Sequence, residues 1–513
     1  MTRISKLFLA LCISFPVLFA GVGYKHIGAK TGFGWTPDEK VPGYLDDTFT
    51  PFLLADHNRT VHAFTSQWVE NDGRRLAIVY RRWSLLGGWT RPVDIILSPL
   101  GGDANFMSAY LDPSDTMHVI FTATEAVTRR TYVYYSSAPA ASADWAPAWS
   151  TPMIVGDGAT GLNSGAIVGD EYGNLVIIYS GNRDGSGVYS VYSKNTGEDW
   201  STPQPVFLTY DTNLNAYSVH LTIGPDQSIR AVWNVVTNLG EDESLYFANF
   251  DSENLKWDTS VELEKRIDLP EYFGPSYPVI VDNGQDIVVV YNSGNPYTDL
   301  PVGAGRPVQR SIISVTNGLT WNEPSIPFPF HVGRSGEHAL VLDGNGTPHT
   351  IFTQRIENTD EEGNYKIIGG VWHSAFENGG WTNPDRFITQ LAPHDIRAVV
   401  CQGNVLLVVW REDPGAGQSG VWFSYNVLDV PELPVEPLST ASVDYLPVQS
   451  TAIATPLELS TFVPSPQPEL LDEAPPSNLG SNPALPIIIG TVPVVLILIG
   501  VVLGYRFLVN RRD

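Results

Sequence analysis

A short apolar segment ending in an aromatic residue recurs along this chain with one period, and nothing else in the sequence limits the fold as strongly. It appears as Val61-His62-Ala63-Phe64, His118-Val119-Ile120-Phe121, Val176-Ile177-Ile178-Tyr179 and Arg230-Ala231-Val232-Trp233. It returns as Val288-Val289-Val290-Tyr291, His349-Thr350-Ile351-Phe352 and Leu407-Val408-Val409-Trp410. The aromatic ends are 57, 58, 54, 58, 61 and 58 residues apart. Such a period marks units that cannot bury their apolar faces alone and must stack against copies of themselves.

Two further marks keep the same beat. A turn precedes each segment and often carries Asp and Gly, with Asp56, Asp112, Asp170, Asp226, Asp282 and Asp343 as its acids. These residue types suit tight hairpins, which account for the acids without calcium. A tryptophan follows, usually with a proline two or three residues on: Trp35, Trp89, Trp149, Trp200, Trp257, Trp321 and Trp381. Proline lacks an N–H, so it belongs at an exposed sheet edge. Seven short-stranded units of about 57 residues predict an all-β, seven-bladed β-propeller over residues 24–430, with six blades plus an N-terminal element as the runner-up. The last unit has no tryptophan strand of its own. The segment near Trp35 precedes the first complete unit, so it is expected to complete the last blade. The low charge content, 17%, and the 46 Gly and 39 Pro fit a turn-rich β fold.

The ends carry different signals. Arg3 and Lys6 before the apolar run Leu7 to Val22 predict a signal peptide over residues 1–23. Residues 431–484 hold eleven prolines and seven acids, and no Lys or Arg occurs between Arg411 and Arg506. That composition predicts an extended stalk. The uncharged run within 485–505, followed by Arg506, Arg511 and Arg512, predicts one transmembrane helix with a cytoplasmic tail over 506–513. The expected location is thus the cell membrane, single-pass, with the N-terminal domain outside. With 30 basic and 55 acidic residues, the net charge of −25 argues against a nucleic-acid partner. Cys401 is the only cysteine beyond the signal peptide, in an apolar strand pattern that reads as core rather than nucleophile.

Ser193-Lys194-Asn195-Thr196-Gly197-Glu198-Asp199-Trp200 and Ser314-Val315-Thr316-Asn317-Gly318-Leu319-Thr320-Trp321 resemble the Asp box, or BNR repeat, written Ser-x-Asp-x-Gly-x-x-Trp. Ser374 to Trp381 keeps the spacing, and Asn195 and Thr316 stand where the pattern has Asp. Gly197, Gly318, Asn378 and Asn254 are expected at the left-handed position. The resemblance spans roughly residues 30–430 at the level of the repeat. It implies the sialidase-like superfamily, in which sialidases have six blades, an arginine triad, an Arg-Ile-Pro motif, a Tyr/Glu nucleophile pair and an Asp acid/base. This chain has seven units and no Arg-Ile-Pro, so no catalytic residue transfers by motif.

In propellers the ligand face is built from the leading ends of the innermost strands and the loops after the second strands. Five arginines fall there: Arg183, Arg334, Arg355, Arg397 and Arg411. Converging guanidinium groups would grip the carboxylate of an acidic sugar, unless each pairs with a nearby acid. A hydrolase needs two carboxyl groups or an activated tyrosine, and Glu337, Asp395 and Tyr272 are the candidates. The sequence contains no HExxH, clustered His/Cys, Walker loop or Gly-x-Ser-x-Gly, so neither cofactor nor metal is expected. The function these features predict is glycan recognition at the cell surface, with sialidase-like exo-hydrolysis of an acidic sugar as its enzymatic form. The alternative is a non-catalytic adhesion or protein-interaction propeller that binds a surface protein ligand.

Overall fold

In the computed structural model the described residues are 34–439, apart from 70–74, 126, 160–162, 269–272, 295–306, 330, 332, 334–335, 360–364, 390–392 and 413–418. They form seven antiparallel sheets, one per unit. The innermost strands are Phe52–Ala55, Ala104–Leu111, Gly165–Gly169, Leu214–Ile223, Ser276–Asp282, Ala339–Leu342 and Pro393–Cys401. We number the blades 1 to 7 in that order. The periodic segments are the second strands, and their terminal aromatics Phe64, Phe121, Tyr179, Trp233, Tyr291, Phe352 and Trp410 are all at most 1% exposed. Burying one such side chain is worth about 1.5–3 kcal/mol, so this ring of seven is a principal source of stability.

The tryptophans join neighbouring blades. Trp89 meets Phe423 of blade 7 edge-on, Trp149 meets Phe64 of blade 1, Trp200 meets Tyr135 of blade 2, and Trp321 meets Phe247 of blade 4. Trp381 donates its Nε1–H to Ser311 Oγ of blade 5 at 3.3 Å. Trp35 stacks on Phe387 of blade 6, with ring centroids 3.7 Å apart. Trp257 is the exception and packs on Phe250 of its own blade.

Trp35 can reach blade 6 because the N-terminal strand Glu39–Lys40 is the outer strand of blade 7, paired with Trp422 and Phe423. The pairing continues through Thr36 N to Tyr425 O at 3.0 Å and Val41 N to Val421 O at 2.8 Å. A few backbone bonds at about 1 kcal/mol each would hold this strand weakly. Burial of Val41 (1% exposed) and Tyr44 in a core shared by blades 1 and 7 adds the larger part. Arg81 of blade 1 is buried between the Tyr44 and Trp89 rings and donates to the carbonyls of Pro42 and Thr90, tying the incoming chain to blade 1.

Most of the acidic turns work as the sequence suggests. Asp56 Oδ1 accepts from Asn58 N and Thr60 N at 2.8 Å each, and Asp112, Asp170 and Asp343 repeat this two-amide clasp. Blades 4, 5 and 7 depart from it, and in blade 5 Asp282 accepts from Gly284 N while Asn283 Oδ1 takes the amides of Gln285 and Asp286. Asp226 is displaced by two residues from the equivalent place, which Gly224 occupies, and Cys401 stands there in blade 7. In blades 1, 2 and 6 the clasping carboxylate also meets a buried histidine: His62 on Asp56 at 3.1 Å, His118 on Asp112 at 3.3 Å and His349 on Asp343 at 3.4 Å. At the third-to-fourth strand hairpins, Ser193 Oγ accepts from Gly197 N and Ser314 Oγ accepts from Gly318 N, both at 2.9 Å. Asn195 Oδ1 and Thr316 Oγ1 each accept the amide four residues on, so they do the work of the missing Asp. In blade 4 the left-handed residue is Leu255, not Asn254, because Asp251 accepts the amides of Glu253 and Asn254 and moves the bend on by one.

After its last strand, Gly420–Val427, the chain continues along the turn face of the ring. Leu433 N donates to Gln402 O of blade 7, Glu436 N to His57 O of blade 1 and Ser439 N to Asp115 Oδ2 of blade 2, at 2.8, 3.1 and 2.6 Å. Glu432 pairs with Arg59, and Leu438 packs on the core of blades 1 and 2. The first residues of the predicted stalk therefore lie as a strap across three blades.

The membrane topology expected from the sequence is corrected. Among the described residues no helix is long and apolar enough to cross a membrane. The described helices are two 3₁₀ turns of three residues, Ala140–Ser142 and Ala146–Ala148, whereas a span needs about 20 residues. The expected signal peptide, transmembrane helix and tail lie outside the described residues. A single-pass anchor, a membrane partner and a cell-membrane location are therefore not carried forward.

Ring closure gives a stability test. Val41→Asp places a carboxylate in the apolar core where the first and last strands meet, and should cost about 3 kcal/mol or more in denaturant unfolding. An unchanged midpoint would show that this strand does not hold the ring.

Candidate functional site

Antiparallel strands put the leading ends of the innermost strands and the loops after the second strands at one end of the ring, and the acidic turns at the other. The innermost strands enclose a central channel of roughly 480 Å³, lined by residues of all seven blades. Its polar wall includes Asn163, Tyr217, His220, Tyr277, Glu337, His338 and Arg397.

Four of the residues singled out from sequence come together at the junction of blades 6 and 7. Arg397 Nη1 pairs with Glu337 across the blades, and Arg411 Nη2 lies 3.5 Å from Asp395 Oδ2. His394 Nδ1 is 2.8 Å from the same Asp395 oxygen. Burial pushes the Asp395 carboxyl up, but His394, Arg397 and Arg411 together outweigh it and hold the group below its ordinary value. Arg397 behaves in the mirror sense. Its burial disfavours the charge, and Glu337 with Asp395 more than restores it. The partners of Arg397 and Arg411 are thus the two acids that the sequence offered as hydrolase carboxyl groups, not acids adjacent to them in sequence.

Other expected residues fall elsewhere. Arg183 is exposed, on the loop after the second strand of blade 3, and is not among the described residues that line the channel. Arg355 lies on the second strand of blade 6 opposite Gly369. Arg334 and Tyr272 lie outside the described residues.

Backbone distortion concentrates where the charged groups meet. The innermost strands of blades 2, 4, 5 and 7 each shift register, between Phe106 and Ser108, Tyr217 and His220, Ser276 and Val279, and His394 and Arg397. Those of blades 4, 5 and 7 each hold a non-glycine residue at left-handed φ: Ser218 at 48°, Tyr277 at 51° and Asp395 at 53°. Such conformations cost of order 1–3 kcal/mol each and cluster at functional sites, where bulges re-aim side chains. Gly336 makes room for the result, since a Cβ there would come within 2.6 Å of Asp395 Oδ1.

Beside Tyr277, two titratable residues at or behind the wall were not singled out from sequence. Burial, and secondarily Arg397, pushes the His220 imidazole down to about 4, and its Nδ1 is buried with no hydrogen-bond partner among the described residues. This ring is therefore neutral at pH 7. The second is Asp242, which opens the third strand of blade 4 behind the wall, held there by Asn234 opposite Tyr217. Burial pushes it up to about 7 despite hydrogen bonds from Asn234 and Ser276. The rule that the loop before it faces the mouth was available, and the acidic run Glu241-Asp242-Glu243 was its signal.

No family model matches the chain, and no curated protein matches it in sequence. Among solved structures the chain is similar to an ulvan lyase of a polysaccharide lyase family bound to -[GlcA(1-4)Rha3S]-. That match has 11% identity, 76% of this chain and 94% of that one covered, and a TM-score of 0.49. It is also similar to an α-L-arabinanase of Penicillium chrysogenum complexed with arabinobiose, at 13% identity, 77% and 99% coverage and a TM-score of 0.43. A third is a mutant α-L-arabinofuranosidase of Fusarium graminearum in complex with an iminosugar inhibitor, at 10% identity, 77% and 98% coverage and a TM-score of 0.44. None assigns a role to a residue of this chain.

Cys401 stands apart from this site, fully buried at the turn of blade 7, where burial pushes its thiol up to about 12. It should resist a thiol reagent at pH 8 in the folded protein and react only as the chain unfolds. Prompt modification of the native protein would place Cys401 within reach of solvent.

Proposed function

We propose that the blade 6–blade 7 end of the channel binds a glycan bearing an acidic sugar. One observation carries the reading: the pairs Glu337–Arg397 and Asp395–Arg411 stand side by side at the channel end, on backbone bent away from regular strand. A sugar offers hydroxyls that both donate and accept. Alternating acids and guanidinium groups match that pattern, and the arginines retain donors for a carboxylate. Tyr217 and Tyr277 add two phenols on the same wall. The channel is large enough for a sugar residue and open at its end.

The finer reading is hydrolysis of the bound sugar, in the manner that the Asp-box resemblance suggests. Two carboxyl groups are needed, one able to give a proton and one held ionised. Asp395, kept below its ordinary value, suits the ionised role. The pairing of both arginines with acids favours a second reading, a binding propeller without chemistry, since paired charges are stable without a ligand.

Calorimetry with trigalacturonate, 3′-sialyllactose and lactose separates these possibilities. Binding of an acidic sugar with little affinity for lactose is the expected outcome. The double variant Arg397→Ala/Arg411→Ala should weaken that binding by about tenfold or more, since each tenfold is about 1.4 kcal/mol. Equal binding by the wild type and the double variant would remove the site from consideration. Product release in the same mixtures would decide for the hydrolase over the binding protein.

A further inference from the structure

Three carboxyl groups stand near the two tyrosines of the channel wall, and their partners differ in kind. Glu337 is paired with Arg397, and Asp395 with Arg411 and His394. Asp242 has no cation within ion-pairing distance among the described residues. Its partners are neutral: Asn234 Nδ2 donates to Asp242 Oδ1 at 2.7 Å, and Ser276 bonds it from blade 5. The cation that faces it, Arg266, is occupied by Glu241 and Glu243 at 3.3 Å each. Gly274 lets the blade 5 chain pass close to the Asp242 backbone, because a Cβ there would come within 1.9 Å of its carbonyl oxygen.

The same residues tie Asp242 to the channel. Asn234, which holds the carboxyl, lies directly opposite Tyr217 in the sheet of blade 4. Ser276 is the neighbour of Tyr277 on the bulge of blade 5. Both tyrosines line the channel, and burial followed by nearby negative charge, Asp242 included, makes both phenols harder to ionise.

From this arrangement, and resting on the glycan-binding reading above, we propose that Asp242 is the proton donor of the site and that the sugar bound there is cleaved by hydrolysis. Asp242 gives its proton to the departing glycosidic oxygen as the anomeric C–O bond breaks. Water supplies the hydroxyl to the anomeric carbon, and its remaining proton returns to the Asp242 carboxylate. The division of labour among the three acids follows from their partners. Two are paired with guanidinium groups, while the third is held by an amide and a hydroxyl in a poorly solvated place.

The sign of the pH effect is fixed. Burial raises Asp242 from its ordinary 3.8 to about 7, with Asn234, Ser276 and Arg266 opposing and Glu243 reinforcing. Between those values the folded protein holds a proton that the unfolded chain has lost. This group's contribution to stability therefore falls as the pH rises across that window. Hydrolysis that needs the protonated form falls above pH 7.

The test is infrared difference spectroscopy of the intact protein carrying ¹³C-labelled aspartate, titrated from pH 5 to pH 9, with and without trigalacturonate and 3′-sialyllactose. A protonated-carboxyl band is expected at pH 6. It should bleach near pH 7, be absent from Asp242→Asn and shift when an acidic sugar binds. Asp242→Asn should also lower hydrolysis by about a hundredfold or more and flatten the fall in rate above pH 7. If the variant does not fold, the titration of the wild type stands alone. A carboxyl that is fully ionised by pH 6 overturns the assignment even where sugar binds, as does a band unmoved by a sugar that binds. Binding of neither sugar defeats the underlying reading instead, and is seen separately in the calorimetry.

Discussion

Every blade here buries both faces of its sheet against a neighbour, and that requirement governs the rest of the molecule. A sheet with an aromatic such as Tyr179 or Trp410 fully enclosed has no free side to give to water. Seven such sheets are stable only as a closed ring, and one chain must bring its two ends together to close it. Only one cysteine lies beyond residue 12, so the chain does this with a strand rather than a disulfide. The two residues Glu39–Lys40 form the ladder, but Trp35, Val41, Tyr44 and Arg81 supply the contacts that make the join durable.

The channel follows from the same constraint. Innermost strands converge on the axis and leave a space that their side chains only partly fill. Where those strands run regularly, in blades 1 and 3, they present Leu53, Ala166 and Ile167 among small and apolar groups. Where they bulge, in blades 4, 5 and 7, they present Tyr217, Tyr277 and Arg397. Blade 2 also shifts register, between Phe106 and Ser108, but with no left-handed residue, and its lining stays apolar with Phe106 and Met107, so the polar lining goes with the left-handed bulges. Apolar packing and backbone strain are divided between the two sides of one ring.

Much of the architecture was legible because it repeats. Second-strand aromatics, acidic turns and tryptophans recur at a fixed interval, and the absence of a tryptophan strand in the last unit pointed to the closing strand. The exceptions were hidden because they replace a residue without disturbing the period: Gly224 and Cys401 stand where other blades have a clasping Asp. The site was legible in part. The mouth rule brought forward Glu337, Asp395, Arg397 and Arg411, yet which acid meets which arginine depends on residues about sixty positions apart and on a one-residue bulge. A bulge breaks the alternation from which side-chain direction is read. Asp242 was passed over for a related reason, since its character comes from Asn234 and Ser276 and not from its own neighbours in sequence.

The strap formed by residues 428–439 has a mechanical meaning. It leaves blade 7 at Gln402, passes His57 of blade 1 and is last held at Asp115 of blade 2. Tension applied beyond Ser439 would reach these attachments one at a time, beginning at blade 2 and ending at blade 7. The final strand, which carries the seam of the ring, would bear load only after all three had let go. The polypeptide thus places a series of sacrificial links between its own tail and the joint on which the ring depends.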